Sequence, residues 1–178
     1  GERASIALMS ICLNELGVKA LSLTGSQCGI LTDSSHTDAQ IKDIHPKRII
    51  EGLVNHDVLV VAGFQGVCPQ TKDITTLGRG GSDLTAVALA KKLSAKKCEI
   101  YTDTQGIMSL DPKLSKNASS LNNLSWQQAC NLASSGATVL HERSAYLAQK
   151  EKIPLEIKHS TKENSSYTHI GEKALEKK

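Results

Sequence analysis

The sequence is poor in aromatic residues, which make up only 3% of its 178 residues and include one Trp and one Phe. Proteins that bind single-stranded nucleic acid stack the bases on aromatic side chains, so such a platform is not expected here. The formal net charge is only +3 at pH 7, which is too small to indicate a basic nucleic-acid-binding face. We therefore predict that the chain has no nucleic-acid partner.

Long apolar runs and paired cysteines are absent as well. No apolar run is long enough to span a bilayer and no signal peptide is recognisable, so we expect no membrane partner. The five cysteines are widely spaced and form no Cys-x-x-Cys pair, which argues against a zinc site. Most lie in apolar runs, as buried free thiols do in a reducing compartment. We expect a cytoplasmic protein and assign no residue as a metal ligand.

Apolar segments alternate with helical patterns along the chain. Residues 58–62 form an unbroken apolar run, and residues 98–101 are expected to form the next central strand. This order predicts a three-layer α/β/α sandwich with a mainly parallel sheet and with both segments in its interior. Ligands of such sheets bind at the carboxyl ends of the strands. Polar segments that contain glycine leave these ends at 24–25, 63–66 and 102–106.

Segment 76–86 carries the strongest functional signal. Three glycines surround Arg79, and Ser82 and Asp83 then open a helical run. Glycines permit left-handed backbone angles, Ser82 is suited to cap the helix, and Asp83 suits the positive end of the helix dipole. Arg79 offers a planar donor fork to a carboxylate or phosphate. The segment therefore predicts an anion site at a helix start, and the alternative is a glycine-rich turn that only caps a structural helix.

Several segments together resemble the amino-acid kinase superfamily, and aspartate kinases in particular. The matching segments are Gly-Glu at 1–2, Ser-Leu-Thr-Gly at 22–25, Val-Ala-Gly-Phe-Gln-Gly at 61–66, Thr-Thr-Leu-Gly-Arg-Gly-Gly-Ser-Asp at 75–83, Tyr-Thr-Asp at 101–103, Gly-Ile at 106–107, Asp-Pro at 111–112, Gly-Ala at 136–137 and Val-Leu-His at 139–141. They follow the family order over most of the chain. Segments 61–66 and 75–83 are specific to aspartate kinases, whereas acetylglutamate, glutamate 5- and uridylate kinases share only the architecture.

The resemblance implies both a fold and a reaction. The fold is the amino-acid kinase (carbamate kinase-like) fold. The reaction is the phosphorylation of the β-carboxylate of L-aspartate by ATP with Mg²⁺, which gives 4-phospho-L-aspartate and opens the pathway to lysine, threonine and methionine. We also expect a homo-oligomer.

The resemblance also implies which residues bind aspartate. Arg79 grips a carboxylate of aspartate, and Glu2 helps to place the substrate and pairs with its ammonium group. Ser82 and the backbone N–H groups of Gly80 and Gly81 face the substrate or the phosphoryl group in transfer. These assignments agree with the anion site that the residues themselves predict.

Catalytic and nucleotide-binding roles follow from the same resemblance. Asp83 is the catalytic residue and organises the catalytic lysine; it is not a base, because the attacking carboxylate is already ionised at pH 7. Thr102, Asp103 and Gly106 resemble nucleotide contacts of the family. Lys113 stands where the family often has an arginine near the phosphates.

The sequence also departs from the family pattern. The opening Lys-Phe-Gly-Gly strand with the catalytic lysine and the regulatory ACT domains have no counterpart in it. We therefore expect a partial kinase domain at 1–171, a charged tail at 172–178 and little activity of this chain alone. Met108, Thr138 and Glu142 replace the tyrosine, lysine and proline common in the family. Two alternatives stay open: a non-catalytic protein of the same fold that binds an amino acid or nucleotide, and another carboxylate kinase of the superfamily.

Overall fold

A computed structural model describes most of the chain and divides it into two compact units. The described residues are 1–109, 119–136, 139–162 and 166–172. Unit 1 is Gly1–Thr85 and unit 2 is Ala86–Lys178. Four of the seven pairings between the described strands are parallel, in agreement with the predicted α/β class. Among the described helices, none has the length and apolar character needed to cross a membrane.

Unit 1 combines helices with two small sheets. Its elements are α1 (Glu2–Glu15), β1 (Ala20–Leu23), β2 (Ile30–Thr32), β3 (Ile41–Ile44), α2 (Lys47–Asn55), β4 (Val58–Val61), β5 (Gln65–Val67), β6 (Ile74–Thr76) and the start of α3 (Gly81–Lys92). Strands β1 and β4 pair in parallel, and the other sheet has the order β3-β2-β5-β6. Strand β4 lies within the predicted apolar segment 58–62.

The second sheet of unit 1 includes two strands that the sequence did not predict. Strands β5 and β6 have three residues each and pair antiparallel. Segments this short and polar have no readable period, which explains why they were missed. A buried hydrogen bond of 2.6 Å between the hydroxyls of Thr32 on β2 and Thr75 on β6 ties β6 to β2, the strand on the other side of β5. A Cβ at Gly66 would lie 2.6 Å from the Cγ2 atom of Thr32, so only glycine fits there.

Unit 2 contains one four-stranded sheet with helices packed against it. Besides the rest of α3, its elements are β7 (Cys98–Thr102), β8 (Asn123–Ser125), α4 (Trp126–Ser134), α5 (Glu142–Glu151), β9 (Leu155–His159) and β10 (Thr168–Gly171). The strand order is β7-β9-β10-β8. Strand β10 is the last described strand; it pairs antiparallel with β9 and separates it from β8.

One face of the unit 2 sheet forms a buried apolar core. Cys98 and Ile100 on β7 face inward together with Leu155 and Ile157 on β9, and all four are buried. Apolar residues of α4 and α5 complete this core. Helix α4 starts at Ser125 with a reciprocal capping box, in which the side chains of Ser125 and Gln128 each accept the other's backbone N–H.

The prediction that segments 58–62 and 98–101 lie in a sheet interior is not met among the described strands. There, β4 pairs only with β1 and β7 pairs only with β9. The side chains of Val58–Val61 are half-buried, whereas β7 alternates buried and more exposed positions. The physical reason is that an apolar run indicates that both faces of a strand are covered, but it does not indicate how many strands pair with it.

The outer face of β7 and β9 carries a network of charged side chains. Glu99 and Glu156 are register partners, so two carboxylates lie side by side on the same face. The Nζ atom of Lys158 lies 2.7 Å from Glu99 and 2.8 Å from Glu156, and Lys97 also contacts both carboxylates. Hydrogen bonds from Lys158, Lys97 and Tyr101 hold the pKa of Glu99 at about 2, against its ordinary value of 4.5.

We predict that Glu99→Gln lowers the free energy of unfolding by about 1 kcal/mol near pH 7, because each lysine loses one of its carboxylate partners. The folded pKa of Glu99, about 2, lies below the ordinary 4.5, so its stabilisation is full above pH 4.5 and fades as the pH falls toward 2. Urea unfolding across this pH range should show the difference between wild type and variant shrinking.

The matched control for this prediction is Glu51→Gln. Glu51 is exposed and forms a long ion pair of 3.9 Å with Lys47, so the substitution should change stability little at any pH. A Glu99→Gln effect that stays constant from neutral pH down to about pH 3 would show that the carboxylate charge contributes nothing.

Candidate active site

The glycine loop adopts the left-handed angles that the sequence predicts. Gly78 and Gly80 have φ values of +74° and +71°. The N–H of Gly81 donates to the carbonyl of Gly78 at 3.0 Å, and the carbonyl of Gly80 accepts the first helical hydrogen bond, from Leu84, at 3.0 Å. Two left-handed residues thus turn the chain from β6 into helix α3 within four positions. Arg79 lies between these glycines and is exposed.

The start of α3 differs from the prediction in one respect. Helix α3 begins at Gly81, so Ser82 is an exposed residue of the first turn and not the N-cap. The reason is that Gly80 already adopts the non-helical conformation of a cap. Asp83 lies in the first turn as predicted. The first N–H groups of a helix have no acceptor within the helix. Here the N–H of Gly81 is bound to the Gly78 carbonyl, so this end offers an anion the N–H and hydroxyl of Ser82 and the positive end of the helix dipole.

Phe64 has the least usual backbone in this region. Its φ is +67°, an angle that costs about 1–2 kcal/mol for a residue with a Cβ. Its N–H donates to Thr85 Oγ1 at 3.1 Å, and its carbonyl accepts from Leu77 N–H at 2.9 Å. A Cβ at Gly81 would lie 2.9 Å from the Phe64 ring, so the ring packs against the start of α3. Nothing in the sequence signals this conformation.

Glu2 lies in an open cleft at the start of α1. The cleft has a volume of about 500 Å³ and is lined by residues Gly1, Glu2, Arg3, Phe64 and Gln65. The guanidinium Nε of Arg3 donates to Gln65 Oε1 at 3.4 Å, a contact that the sequence did not predict. Phe64 therefore borders both this cleft and the glycine loop, and it links the predicted substrate residues Glu2 and Gly81.

Two of the predicted strand exits meet in unit 1. The backbone of Gly25, which follows β1, packs so closely against the carbonyl of Gln65 that a Cβ at Gly25 would overlap it. The loop after β1 is held by Thr24 N–H, which donates to Gln27 Oε1 at 2.9 Å. The exits of β1 and β4 are therefore adjacent, as expected for neighbouring parallel strands.

The predicted nucleotide residues gather at the end of β7 in unit 2. Thr102 Oγ1 donates to Asp103 Oδ1 at 3.2 Å, and the Thr102 carbonyl accepts from Ser160 N–H at 2.8 Å. Gly106 has a φ of +79°, and the next N–H, of Ile107, donates to Thr168 Oγ1 at 2.7 Å. Strand β10 thus fixes the end of this loop. Lys113 and Thr138 lie outside the described residues.

The side chains that could hold a metal or act as reactive thiols are dispersed. In the stretches that the structure describes, no group of three His, Cys, Asp or Glu residues is arranged to hold a metal ion. The cysteines are free thiols, as predicted. Burial raises the pKa of Cys28 to about 11, although the charge of Arg48 opposes this shift.

Known proteins share both the sequence pattern and the fold of this chain. The sequence pattern described as the amino acid kinase family matches residues 1–159. The chain belongs to the amino acid kinase family. This match and the structural similarities below confirm the predicted fold class, the three-layer α/β/α amino-acid kinase fold with a mainly parallel sheet. The division into a domain at 1–171 and a tail at 172–178 stays a prediction.

Within the amino acid kinase family, the chain is similar to aspartokinases. It is 47% identical to the aspartokinase of Geobacillus stearothermophilus over 172 residues, which is 97% of this chain and 42% of that protein. It is 44% identical to aspartokinase 2 of Bacillus subtilis over 174 residues, 98% of this chain and 42% of that protein. The chain thus spans about two-fifths of the length of these curated relatives.

A solved structure of an amino acid kinase shows the same similarity. Escherichia coli aspartokinase III, in a complex with aspartate and ADP, superposes with a TM-score of 0.90 at 29% identity. The superposition covers 97% of this chain and 39% of that one. No comparison tests the individual residue roles, and those roles stay predictions.

We predict that Gly78→Ala destabilises the chain by about 2–4 kcal/mol, because the new Cβ combines a left-handed backbone with a collision. That Cβ would lie 2.9 Å from the Thr37 carbonyl oxygen and 3.0 Å from Asp38 Oδ1. Gly17→Ala is the control, since Gly17 has a φ of +82° and no atom within 4 Å of its Cβ position. Urea unfolding should give a loss of only about 1 kcal/mol for the control. Equal losses would show that the loop yields freely at Gly78.

Proposed function

We propose that this chain provides the aspartate-binding part of an aspartate kinase, which transfers the γ-phosphoryl group of ATP to the β-carboxylate of L-aspartate. The observation that carries the proposal is the position of Phe64, which borders both the cleft at Glu2 and the loop that opens α3. A zwitterionic amino acid needs a negative group for its ammonium and positive groups for its carboxylates. Similarity to aspartokinases supports aspartate as that amino acid.

In this proposal, the carboxylates of aspartate bind at the glycine loop. Arg79 is exposed between two left-handed glycines, so its guanidinium is free to form a bidentate contact. At the start of α3, the N–H and the hydroxyl of Ser82 add donors that need no reorganisation when charge develops, whereas the N–H of Gly81 is already bound to the Gly78 carbonyl. Gly80 and Gly81 allow a ligand to approach the backbone closely.

The ammonium group of aspartate binds on the cleft side. Glu2 is exposed in the first turn of α1 and lines the cleft together with Phe64 and Gln65. The guanidinium of Arg3, the cation of the cleft, already donates to Gln65 at 3.4 Å. The carboxylate of Glu2 is the anion of the cleft that we assign to the ammonium group. This charge arrangement discriminates against ligands that lack an ammonium group, such as N-acetylated amino acids.

The reaction needs positioning and charge neutralisation more than acid–base chemistry. A β-carboxylate oxygen of aspartate attacks the γ-phosphorus in line, a P–O bond forms, and the bond to the bridging oxygen of ADP breaks. No proton is removed from the nucleophile, because the carboxylate is ionised at neutral pH. In this proposal, Asp83 organises the catalytic lysine that the family resemblance implies. Mg²⁺ would neutralise the phosphates and arrive bound to the nucleotide, and we assign no protein ligand to it.

The nucleotide is assigned to the loop after β7. Thr102 and Asp103 form an internal hydrogen bond at the strand end, and Gly106 permits the turn that follows. Lys113 is proposed to contact the phosphates. ATP and Mg²⁺ as cofactors, a homo-oligomeric assembly and a cytoplasmic location stay predictions.

We predict that Arg79→Ala weakens aspartate binding ten- to hundredfold and leaves ADP binding nearly unchanged. The lost charge-assisted hydrogen bonds contribute roughly 1.5–3 kcal/mol, which corresponds to this factor. Isothermal titration of the 178-residue chain measures both affinities. Arg79→Lys should give an intermediate loss, since lysine keeps the charge but not the fork. Arg48→Ala, at another exposed arginine, is the control; an equal loss there would remove Arg79 from the site.

We also predict that this chain alone binds aspartate but forms little acyl phosphate. Phosphoryl transfer between two anions requires several cations around the transferred group, and Arg79 and Lys113 are the only cations assigned here. A hydroxamate assay with ATP, Mg²⁺ and aspartate measures the product. Turnover at a usual kinase rate of about 1–100 s⁻¹ would show that the assigned residues suffice.

The same two measurements separate the alternatives. Glutamate and N-acetylglutamate as ligands test for another carboxylate kinase of the superfamily, and selectivity for either over aspartate would overturn the substrate assignment. In a longer protein that contains this chain, tight binding of aspartate and ATP without any acyl phosphate would favour the non-catalytic alternative.

A further inference from the structure

The hydroxyl of Thr85 connects the two parts of the proposed aspartate site. Thr85 is 3% exposed and lies in the second turn of α3. Its Oγ1 donates to the carbonyl of Gly81 at 2.7 Å and accepts the N–H of Phe64 at 3.1 Å. The hydroxyl therefore donates its proton within α3, and one of its lone pairs accepts the N–H of Phe64 at the exit of β4.

Phe64 requires such a contact, because its backbone is held in an unfavourable conformation. A left-handed residue with a Cβ persists only where its surroundings over-determine it. Here the N–H of Phe64 is bound by Thr85, its carbonyl is bound by Leu77, and its ring packs on Gly81. Of these three contacts, only the one from Thr85 is made by the side chain of another residue, so a substitution outside Phe64 can remove it.

The position of Phe64 determines how the cleft and the loop are spaced. Phe64 and Gln65 line the cleft that contains Glu2, while Gly81 and Ser82 belong to the helix start that follows Arg79. A Cβ at Gly63 would be 3.6 Å from the Cα of Ser82, so the strand exit and the helix start are in direct contact. A shift of Phe64 would therefore alter the distance between the groups that bind the two ends of aspartate.

We propose that Thr85 is a positioning residue for the aspartate site, and that its hydroxyl keeps Phe64 in the left-handed conformation that aligns the cleft with the glycine loop. This inference rests on the proposed function for the identity of the ligand. The conformational part of it, that Thr85 sets the backbone of Phe64, stands on the geometry alone.

The test compares Thr85→Val, which removes the hydroxyl at nearly constant volume, with Thr85→Ser, which keeps it. In the full 178-residue chain, the intraresidue amide–Hα NOE and the one-bond Cα–Hα coupling of Phe64 report whether φ is positive. We expect Thr85→Val to lose this signature and to weaken aspartate binding about tenfold, the size of one lost buried hydrogen bond. We expect Thr85→Ser to retain both, and ADP affinity to change in neither.

Thr32→Val is the matched control. Thr32 is also buried in unit 1 and also loses a hydroxyl hydrogen bond, to Thr75, but it does not border the cleft. It should lower stability without changing aspartate affinity. A Thr85→Val chain with an unchanged Phe64 conformation or unchanged aspartate affinity would overturn the proposal, as would an equal affinity loss in Thr32→Val.

A second comparison keeps the proposal testable if Thr85→Val alone fails to fold. Glycine adopts positive φ without strain, so in a Phe64→Gly background the Thr85 hydroxyl is no longer needed to hold that conformation. The double variant should fold, and Thr85→Val should change its aspartate affinity less than about threefold. A double variant that does not fold although Phe64→Gly folds, or that loses the full factor relative to Phe64→Gly, contradicts the role assigned to Thr85.

Failure of the proposal and failure of the proposed function are distinguishable. If the wild-type chain binds no aspartate, the substrate assignment is wrong, and the conformational comparison at Phe64 then decides the role of Thr85 by itself. If the wild-type chain binds aspartate and the Val and Ser variants bind it equally well, the substrate assignment stands and the positioning role is wrong.

Discussion

The backbone of Phe64 is the constraint on which the geometry of unit 1 near the cleft depends. Its N–H and its carbonyl are bound by two segments that are adjacent in sequence, the loop before Gly78 and the first turns of α3. Contacts through this one residue therefore join the strand exit, the glycine loop and the helix start. The strain of about 1–2 kcal/mol at Phe64 is offset by the several contacts that hold it.

The proposed substrate site contains few charged side chains, whereas the outer face of β7 and β9 contains a dense charged cluster. The proposed substrate groups include three exposed residues, Arg79, Glu2 and Ser82, whose side chains are open to solvent. The network around Glu99 is different, because two lysines and two glutamates neutralise one another on a sheet face. Side chains that already satisfy each other gain little from a ligand, which separates a structural charge cluster from a binding site.

The sequence indicated those features that depend on a residue's own chemistry. Gly78 and Gly80 were predicted as left-handed because glycine alone adopts that conformation freely. The conformation of Phe64 was not predictable, since it results from contacts with Leu77 and Thr85 that are distant along the chain. The position of β4 in its sheet was not predictable either, because an apolar run shows that the faces of a strand are apolar and does not show how many strands lie beside it.

The place of β10 has a consequence for how the chain folds as it is synthesised. Strand β10 spans Thr168–Gly171, yet it lies between β9 and β8, and its Thr168 holds the backbone after Gly106. Strand β8 and the loop after β7 therefore wait for residues made roughly 45 to 60 positions later before they acquire their partners. The strand pairings described in unit 1 join segments that all precede Thr85, so their partners are synthesised earlier. The vectorial order of synthesis thus leaves unit 2 open longest, and there premature chain termination or a stalled ribosome would expose unpaired strand edges to aggregation.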